Sequence, residues 1–89
     1  MRRVIWSVAA IGGLERIRAH IAAFRPLAAE RLAERLVKAA NSLREDAERG
    51  RSLRGGRREL TVVHPYLIRY RVKGDTVMIL EVRHGARRP

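Results

Sequence analysis

Apolar residues in this chain change their spacing once, and this change constrains the fold more than any other feature. From residue 14 to residue 48 they recur at intervals of three and four, and after residue 58 they alternate with polar residues. The first spacing is typical of helices that bury one face, and the second is typical of half-buried strands. The sequence therefore predicts helices followed by a sheet, which is an α+β architecture.

Two helices are predicted in the first half of the chain. The apolar residues that define the first helix, from about Gly13 to Ala23, are Leu14, Ile17, Ile21 and Phe24. Pro26 cannot continue that helix but suits the first turn of another, which we expect from Leu27 to about Glu48 with Gly50 as its C-cap. Helices that follow each other so closely predict a helical hairpin.

Four strands are predicted, over residues 3–7, 59–63, 66–73 and 76–83. Gly74 and Asp75 suit a two-residue hairpin turn, which would pair Lys73 with Thr76 and, further along, Arg69 with Leu80. We therefore expect a helical hairpin packed on a mainly antiparallel four-stranded sheet, in the order β-α-α-β-β-β. A length of 89 residues predicts a single domain over residues 1–89.

Residues 49–58 are rich in Arg and Gly, a composition typical of a mobile basic loop that buries nothing. The whole chain is also basic, because 20 Lys and Arg residues face 9 Asp and Glu residues and leave a net charge of +11. Such a charge favours an anionic partner, but charge alone does not distinguish nucleic acid, an acidic protein and a membrane surface.

The residue inventory excludes several kinds of site. There is no Cys, and His20, His64 and His84 do not have metal-ligand spacing, so we expect neither a metal nor another cofactor. No apolar stretch is long enough to suggest a membrane segment or a signal peptide. We expect a cytoplasmic protein that does not use a membrane.

The strand pattern predicts two different faces for the sheet. The face expected to receive the helices holds Ile68, Tyr70, Val72, Val77 and Ile79. The opposite face is half basic and half apolar, and holds Leu67, Arg69, Arg71, Met78, Leu80 and Val82. An apolar face left bare on a small protein usually binds a partner, so this face is the predicted docking surface.

Few residues suggest catalysis. Most acidic residues fall on the second helix, and Glu59 and Glu81 are expected to pair with Arg across the sheet. The one enzyme class that remains is a metal-free ribonuclease in which Arg stabilises the phosphorane and a His or Tyr acts as acid or base. The surface that could do this holds Arg69, Arg71, Arg83, His84 and Arg87. We favour a docking surface over catalysis for these residues.

In their order and spacing, several segments together resemble the RelE/ParE superfamily of toxins from bacterial type II toxin–antitoxin modules. Val4 to Ser7 looks like the opening strand of the family, and Leu14 to Ala22 looks like its first helix. The second helix and the three closing strands are matched by residues 28–43, 58–60, 66–72 and 77–87. Val8 departs from the family pattern, because many relatives carry Pro after the Ser.

The resemblance implies a toxin held in check by a cognate acidic antitoxin, in a hetero-oligomer. Ribosome-dependent mRNA endoribonucleases of the RelE type have an Arg where this chain has Leu67, and Gly85-Ala86 stands where they place part of their acid–base set. The ending is more similar to the ParE branch, whose members poison DNA gyrase by binding. The predicted binding residues are Leu67, Arg69, Arg71, Met78, Leu80, Arg83, His84 and Arg87, and only the ribonuclease alternative would make Arg83 and His84 catalytic.

Overall fold

The structure is a computed structural model that describes residues 1–85. Within that range its elements are β1 (Arg3–Trp6), α1 (Val8–Ala22), α2 (Pro26–Ser42), β2 (Arg51–Ser52), β3 (Arg57–Val63), β4 (Tyr66–Lys73) and β5 (Thr76–His84). A single turn of 3₁₀ helix at Arg54–Gly56 leads into β3. The predicted α+β class and the order of the predicted elements are confirmed.

The strands form one mixed sheet in the order β1-β5-β4-β3-β2. β1 lies parallel to β5, whereas the other neighbouring strands are antiparallel. The prediction of four strands was wrong by one, because Arg51 and Ser52 pair with Glu59 and Arg58 and form an additional edge strand. Nothing in the composition of residues 49–58 indicates this pairing, since the partner strand supplies it.

The helical hairpin is confirmed, with Pro26 as the first residue of α2. α1 begins at Val8 rather than at Gly13, because the Ser7 side chain caps it and accepts a hydrogen bond of 3.0 Å from the Ala10 amide. The helix then crosses β5 so closely that a Cβ at Gly13 would collide with the Val82 carbonyl group. Consecutive glycines usually weaken a helix, but here the missing side chain permits the contact.

α2 ends at Ser42, earlier than the predicted end near Glu48. The Ser42 hydroxyl donates to the Ala39 carbonyl at 2.7 Å and the Leu43 amide donates to the Ala40 carbonyl, so the last turn tightens to contacts three residues apart. Leu43 is nevertheless fully buried in the core. Burial after the helix has ended explains why the apolar spacing resembles a longer helix.

The buried Tyr70 hydroxyl connects the segment after α2 to the sheet through two hydrogen bonds. It donates to the Ala47 carbonyl at 2.7 Å and accepts from the Gly50 amide at 2.8 Å. Gly50 is therefore not a C-cap, because it permits close approach: a Cβ there would lie 2.7 Å from the Tyr70 oxygen. The prediction that residues 49–58 bury nothing is wrong, since Gly50 is buried.

The register of β4 with β5 follows the prediction only near their turn. Gly74 has φ of +60°, and the pairs from the turn to Tyr70 and Ile79 are those expected. A bulge then shifts the register, so Arg69 pairs with Glu81 and not with Leu80. Since one extra residue reverses the alternation, Val82 turns towards the helices and is 3% exposed.

The core lies between the helices and the inner face of the sheet. Its largest fully buried side chains are Leu36, Leu43, Ile68, Tyr70, Val77 and Ile79. Partly buried Trp6 extends it and donates from its indole nitrogen to the Asn41 side chain at 3.2 Å. The helices therefore cover one face of the sheet and leave uncovered the opposite face, which we call the outer face.

Candidate interaction surface

Paired positions of neighbouring strands point to the same side of a sheet, so the register identifies the outer face. Its first row of residues is Ile5, Met78, Arg71 and Arg57. The second row is Glu81, Arg69 and Glu59, and the third is Arg83, Leu67 and Thr61. The outer face therefore carries most of the predicted docking residues, but in two different electrostatic settings.

A chain of alternating charges crosses the second and third rows. The Glu59 carboxylate accepts from Arg51 at 2.8 Å and from Arg69 at 3.2 Å. Arg69 also reaches Glu81 at 3.4 Å, and Glu81 lies 3.7 Å from Arg83. The prediction that the two strand carboxylates pair with Arg across the sheet is confirmed, and Arg69 is held between both of them.

Glu59 is the most buried member of this chain of charges, with 8% of its side chain exposed. Burial raises the pKa of Glu59, but the hydrogen bonds and charges of Arg51 and Arg69 outweigh burial and leave the pKa below its ordinary value. Glu59 is therefore ionised at neutral pH and locks two arginines in place.

The bulge changes which apolar residues the outer face presents. Val82, expected there, belongs to the core, and Leu67 is only 8% exposed. Met78 and Leu80 are half-buried. Ile5, which sequence reasoning did not single out, is 39% exposed beside Met78 because β1 adds a strand at this edge. The apolar part of the outer face is therefore smaller than predicted and lies next to β1.

Four cations at the turn end of the outer face form what we call the basic cluster: Arg3, Arg57, Arg71 and Lys73. Within residues 1–85 none of them makes an ion pair. Arg71 donates to the Gly55 carbonyl at 3.0 Å, a bond that positions its guanidinium without neutralising it. The basic cluster is therefore the part of the outer face most suited to an acidic partner.

Arg83 and His84, the predicted catalytic pair of the ribonuclease alternative, are adjacent in β5 and so project to opposite faces of the sheet. Arg83 pairs with Leu67 on the outer face. His84 pairs with Tyr66, and the two rings meet edge to face with centroids 5.4 Å apart. Arg87 lies outside the described residues.

His84 borders a cavity of about 270 Å³ between α1 and the end of β5, which we call the α1–β5 cavity. Its polar lining consists of Arg16, His20, Tyr66, Glu81, Arg83 and His84. Arg16 and His20 are exposed residues of α1, and sequence reasoning did not predict this grouping. Their spacing of four residues does place them on one helix face, but no local signal indicates that β5 ends beside that face.

The described part of the chain contains neither a candidate metal site nor a candidate membrane-spanning helix. Residues 1–85 contain no group of three or more His, Asp or Glu side chains that could hold a metal ion. In the same range, no helix is long and apolar enough to cross a membrane.

Comparison with known proteins agrees with this architecture. Toxin RelE2 of Caulobacter vibrioides is 49% identical over 87 residues, which cover 98% of this chain and 99% of that protein. A chain from the chromosomal ParDE TA system of P. aeruginosa superposes with a TM-score of 0.83 at 27% identity, over 94% of this chain and 96% of that one. The family model of the ParE toxin of the type II toxin–antitoxin system parDE matches residues 4–89. The chain therefore belongs to the ParE family of type II toxins.

Proposed function

We propose that this toxin arrests growth in the cytoplasm by binding and poisoning DNA gyrase, without catalytic residues of its own. The observation that carries the proposal is that Arg83, the cation next to His84 in β5, already lies 3.7 Å from the Glu81 carboxylate. A general acid or base must reach the same reacting group as the cation that stabilises the developing charge. A cation that is already paired with a carboxylate serves binding better than it serves this chemistry.

The surroundings of Leu67 support the same conclusion. Leu67 stands where the resemblance to ribonuclease members of the superfamily implies an Arg, and it is 8% exposed. The neighbouring Arg69 is shared between Glu59 and Glu81, so little of its charge is left for a phosphate. An outer face of this kind favours docking onto a protein target.

A ribosome-dependent mRNA endoribonuclease is the second candidate function. The relative with 49% identity is named Toxin RelE2. His84 and Tyr66 are also side chains that can donate or accept a proton, and they are in ring contact. In this alternative, Arg83 and His84 act on mRNA bound to the ribosome.

Expression of the chain without an antitoxin, in cells that carry a reporter of the SOS response, distinguishes the two functions. We expect induction of the reporter and no new 5′ ends in mRNA by primer extension. His84→Ala should remain toxic, as should the matched control His64→Ala in the exposed turn between β3 and β4. Codon-positioned mRNA ends that depend on His84, with a silent reporter, would contradict the proposal.

We further propose that an acidic antitoxin docks on the outer face at the basic cluster and forms a hetero-oligomer with the toxin. Unpaired cations accelerate encounter with an acidic chain, and the apolar contact with Ile5 and Met78 then slows its dissociation. Arg69 contributes less in this arrangement than the sequence suggests, because two carboxylates already engage it.

Charge reversal tests this docking site. The double variant Arg57→Glu, Arg71→Glu should bind the acidic protein encoded beside the toxin gene more weakly, and the loss should be larger at low salt. The control Arg31→Glu, Arg35→Glu changes the charge equally on the exposed side of α2. Calorimetric titration of both variants provides the comparison. Equal losses would mean that net charge, and not the basic cluster, attracts the antitoxin.

A further inference from the structure

The α1–β5 cavity exists because β1 is shorter than β5. β1 pairs with β5 only as far as Ile79, so within residues 1–85 no strand lies on that side of the remainder of β5. α1 covers this edge instead, and it approaches so closely at Gly13 that an added Cβ would collide with the Val82 carbonyl group. The apolar lining of this space, which forms the floor of the cavity, consists of Ala9, Gly13, Ile17 and Val82. The cavity is therefore a product of the topology and not an accident of surface side chains.

Polar groups reach this cavity from two opposite walls. Arg16 and His20 come from α1, one helical turn apart. Tyr66 and His84 come from the ends of β4 and β5, and Arg83 borders the cavity at the edge of β5. All of these side chains can donate hydrogen bonds, the histidines in either protonation state.

The carboxylate of Glu81 also borders the cavity, and its charge has to be considered. It is already engaged by Arg69 at 3.4 Å and by Arg83 at 3.7 Å. Arg16 makes no ion pair within residues 1–85, so its charge is available to a ligand. The lining therefore keeps a positive balance after Glu81 is counted.

The arrangement favours a phosphate over a carboxylate. A planar carboxylate pairs best with a single guanidinium, whereas a tetrahedral phosphate can present oxygens to both walls at once. A volume of about 270 Å³ accommodates a phosphate and part of the group attached to it. The apolar floor suits the attached sugar or ring.

We propose that the α1–β5 cavity binds the phosphate group of a nucleotide or of a nucleic-acid strand. Arg16 and His20 bind the anion from α1, and Tyr66 and His84 bind it from the sheet. The proposal is one of binding, and no bond of the ligand is broken. Neither Leu67 nor the basic cluster takes part, so the phosphate site can be tested separately from the proposed antitoxin docking site.

NMR titration of the histidine ring signals tests this site. Inorganic phosphate, adenosine monophosphate and a short single-stranded DNA are each added to the full chain. We expect saturable changes in the His20 and His84 signals, with the His64 signal unchanged. A response to the mononucleotide but not to the strand identifies a free nucleotide as the ligand, and the reverse result identifies a nucleic-acid strand.

Paired variants decide whether the cavity or the overall charge binds the ligand. Arg16→Gln, His20→Gln should weaken binding by at least about tenfold, as expected for the loss of charge-assisted hydrogen bonds. The control Arg31→Gln, His64→Gln removes the same groups from exposed positions elsewhere and should bind normally. Equal affinity of both variants would overturn the proposal. So would an acidic peptide that moves the same signals at lower concentration than any phosphate ligand.

Discussion

Gly12 and Gly13 are neighbours in α1, yet replacing each by Ala should have opposite effects on stability. A Cβ at Gly13 would lie less than 3.0 Å from the Val82 carbonyl oxygen, whereas ordinary contact requires at least 3.4 Å. A Cβ at Gly12 meets only the mobile end of the Arg16 side chain, at 3.3 Å. The first contact joins two backbones and can be relieved only by moving α1 away from β5.

The two effects can be given magnitudes. Overpacking of a core typically costs about 1–3 kcal/mol, and a backbone collision belongs at the upper end of that range. Replacing Gly by Ala within a helix returns about 1 kcal/mol. We therefore expect Gly13→Ala to lose about 2 kcal/mol of unfolding free energy and Gly12→Ala to gain about 0.5–1 kcal/mol.

Urea denaturation followed by far-ultraviolet circular dichroism measures both changes. For a chain of this size each kcal/mol also moves Tm by about 4–8 °C, so the two variants should be well separated in a thermal scan. If Gly13→Ala is as stable as Gly12→Ala, α1 does not approach β5 as described, and the cavity between them loses its structural basis.

Two further changes test the contacts that shape the sheet. Tyr70→Phe leaves the Ala47 carbonyl and the Gly50 amide unpaired in the interior, so urea denaturation should show a loss of about 2–4 kcal/mol of unfolding free energy. The control Tyr66→Phe should lose less than about 0.5 kcal/mol. Equal losses would mean that the two hydrogen bonds of the Tyr70 hydroxyl do not stabilise the fold. Glu59→Gln should be destabilising at neutral pH. Because the pKa of Glu59 is lower in the folded state than its unfolded value near 4.5, its ionisation stabilises the fold above that unfolded pKa, and the stabilisation is lost as pH falls through the folded pKa. The difference in unfolding free energy between Glu59→Gln and the unsubstituted chain should therefore shrink in acid. A difference that does not change with pH would refute the role of the ion pairs.

The sequence predicts the parts of this fold that depend on local pattern. The helical hairpin follows from apolar spacing and Pro26, and the β4–β5 register near the turn follows from Gly74. Long-range contacts decide what it does not predict. The pairing of β2 with β3 and the contact of Gly50 with Tyr70 join segments whose own composition indicates only a loop.

The positions of residues on the outer face can likewise be predicted only where the strand register is regular. Arg71 and Met78 lie on the outer face, as the alternation of residues from the Gly74-Asp75 turn predicts, because the register is regular between that turn and this pair. Beyond the bulge the predicted alternation is reversed, and Val82 lies in the core. The α1–β5 cavity could not be predicted, because it depends on where β1 ends relative to β5, a length difference that only the assembled sheet reveals.

A gyrase assay with purified protein tests the central claim most directly. The toxin is incubated with DNA gyrase, ATP and supercoiled plasmid, the reaction is stopped with detergent and protease, and the plasmid forms are separated by electrophoresis. Trapping of the cleaved complex predicts that linear plasmid accumulates with toxin and is absent when gyrase is omitted. A plasmid that stays intact at toxin concentrations that cut ribosome-bound mRNA would contradict the account.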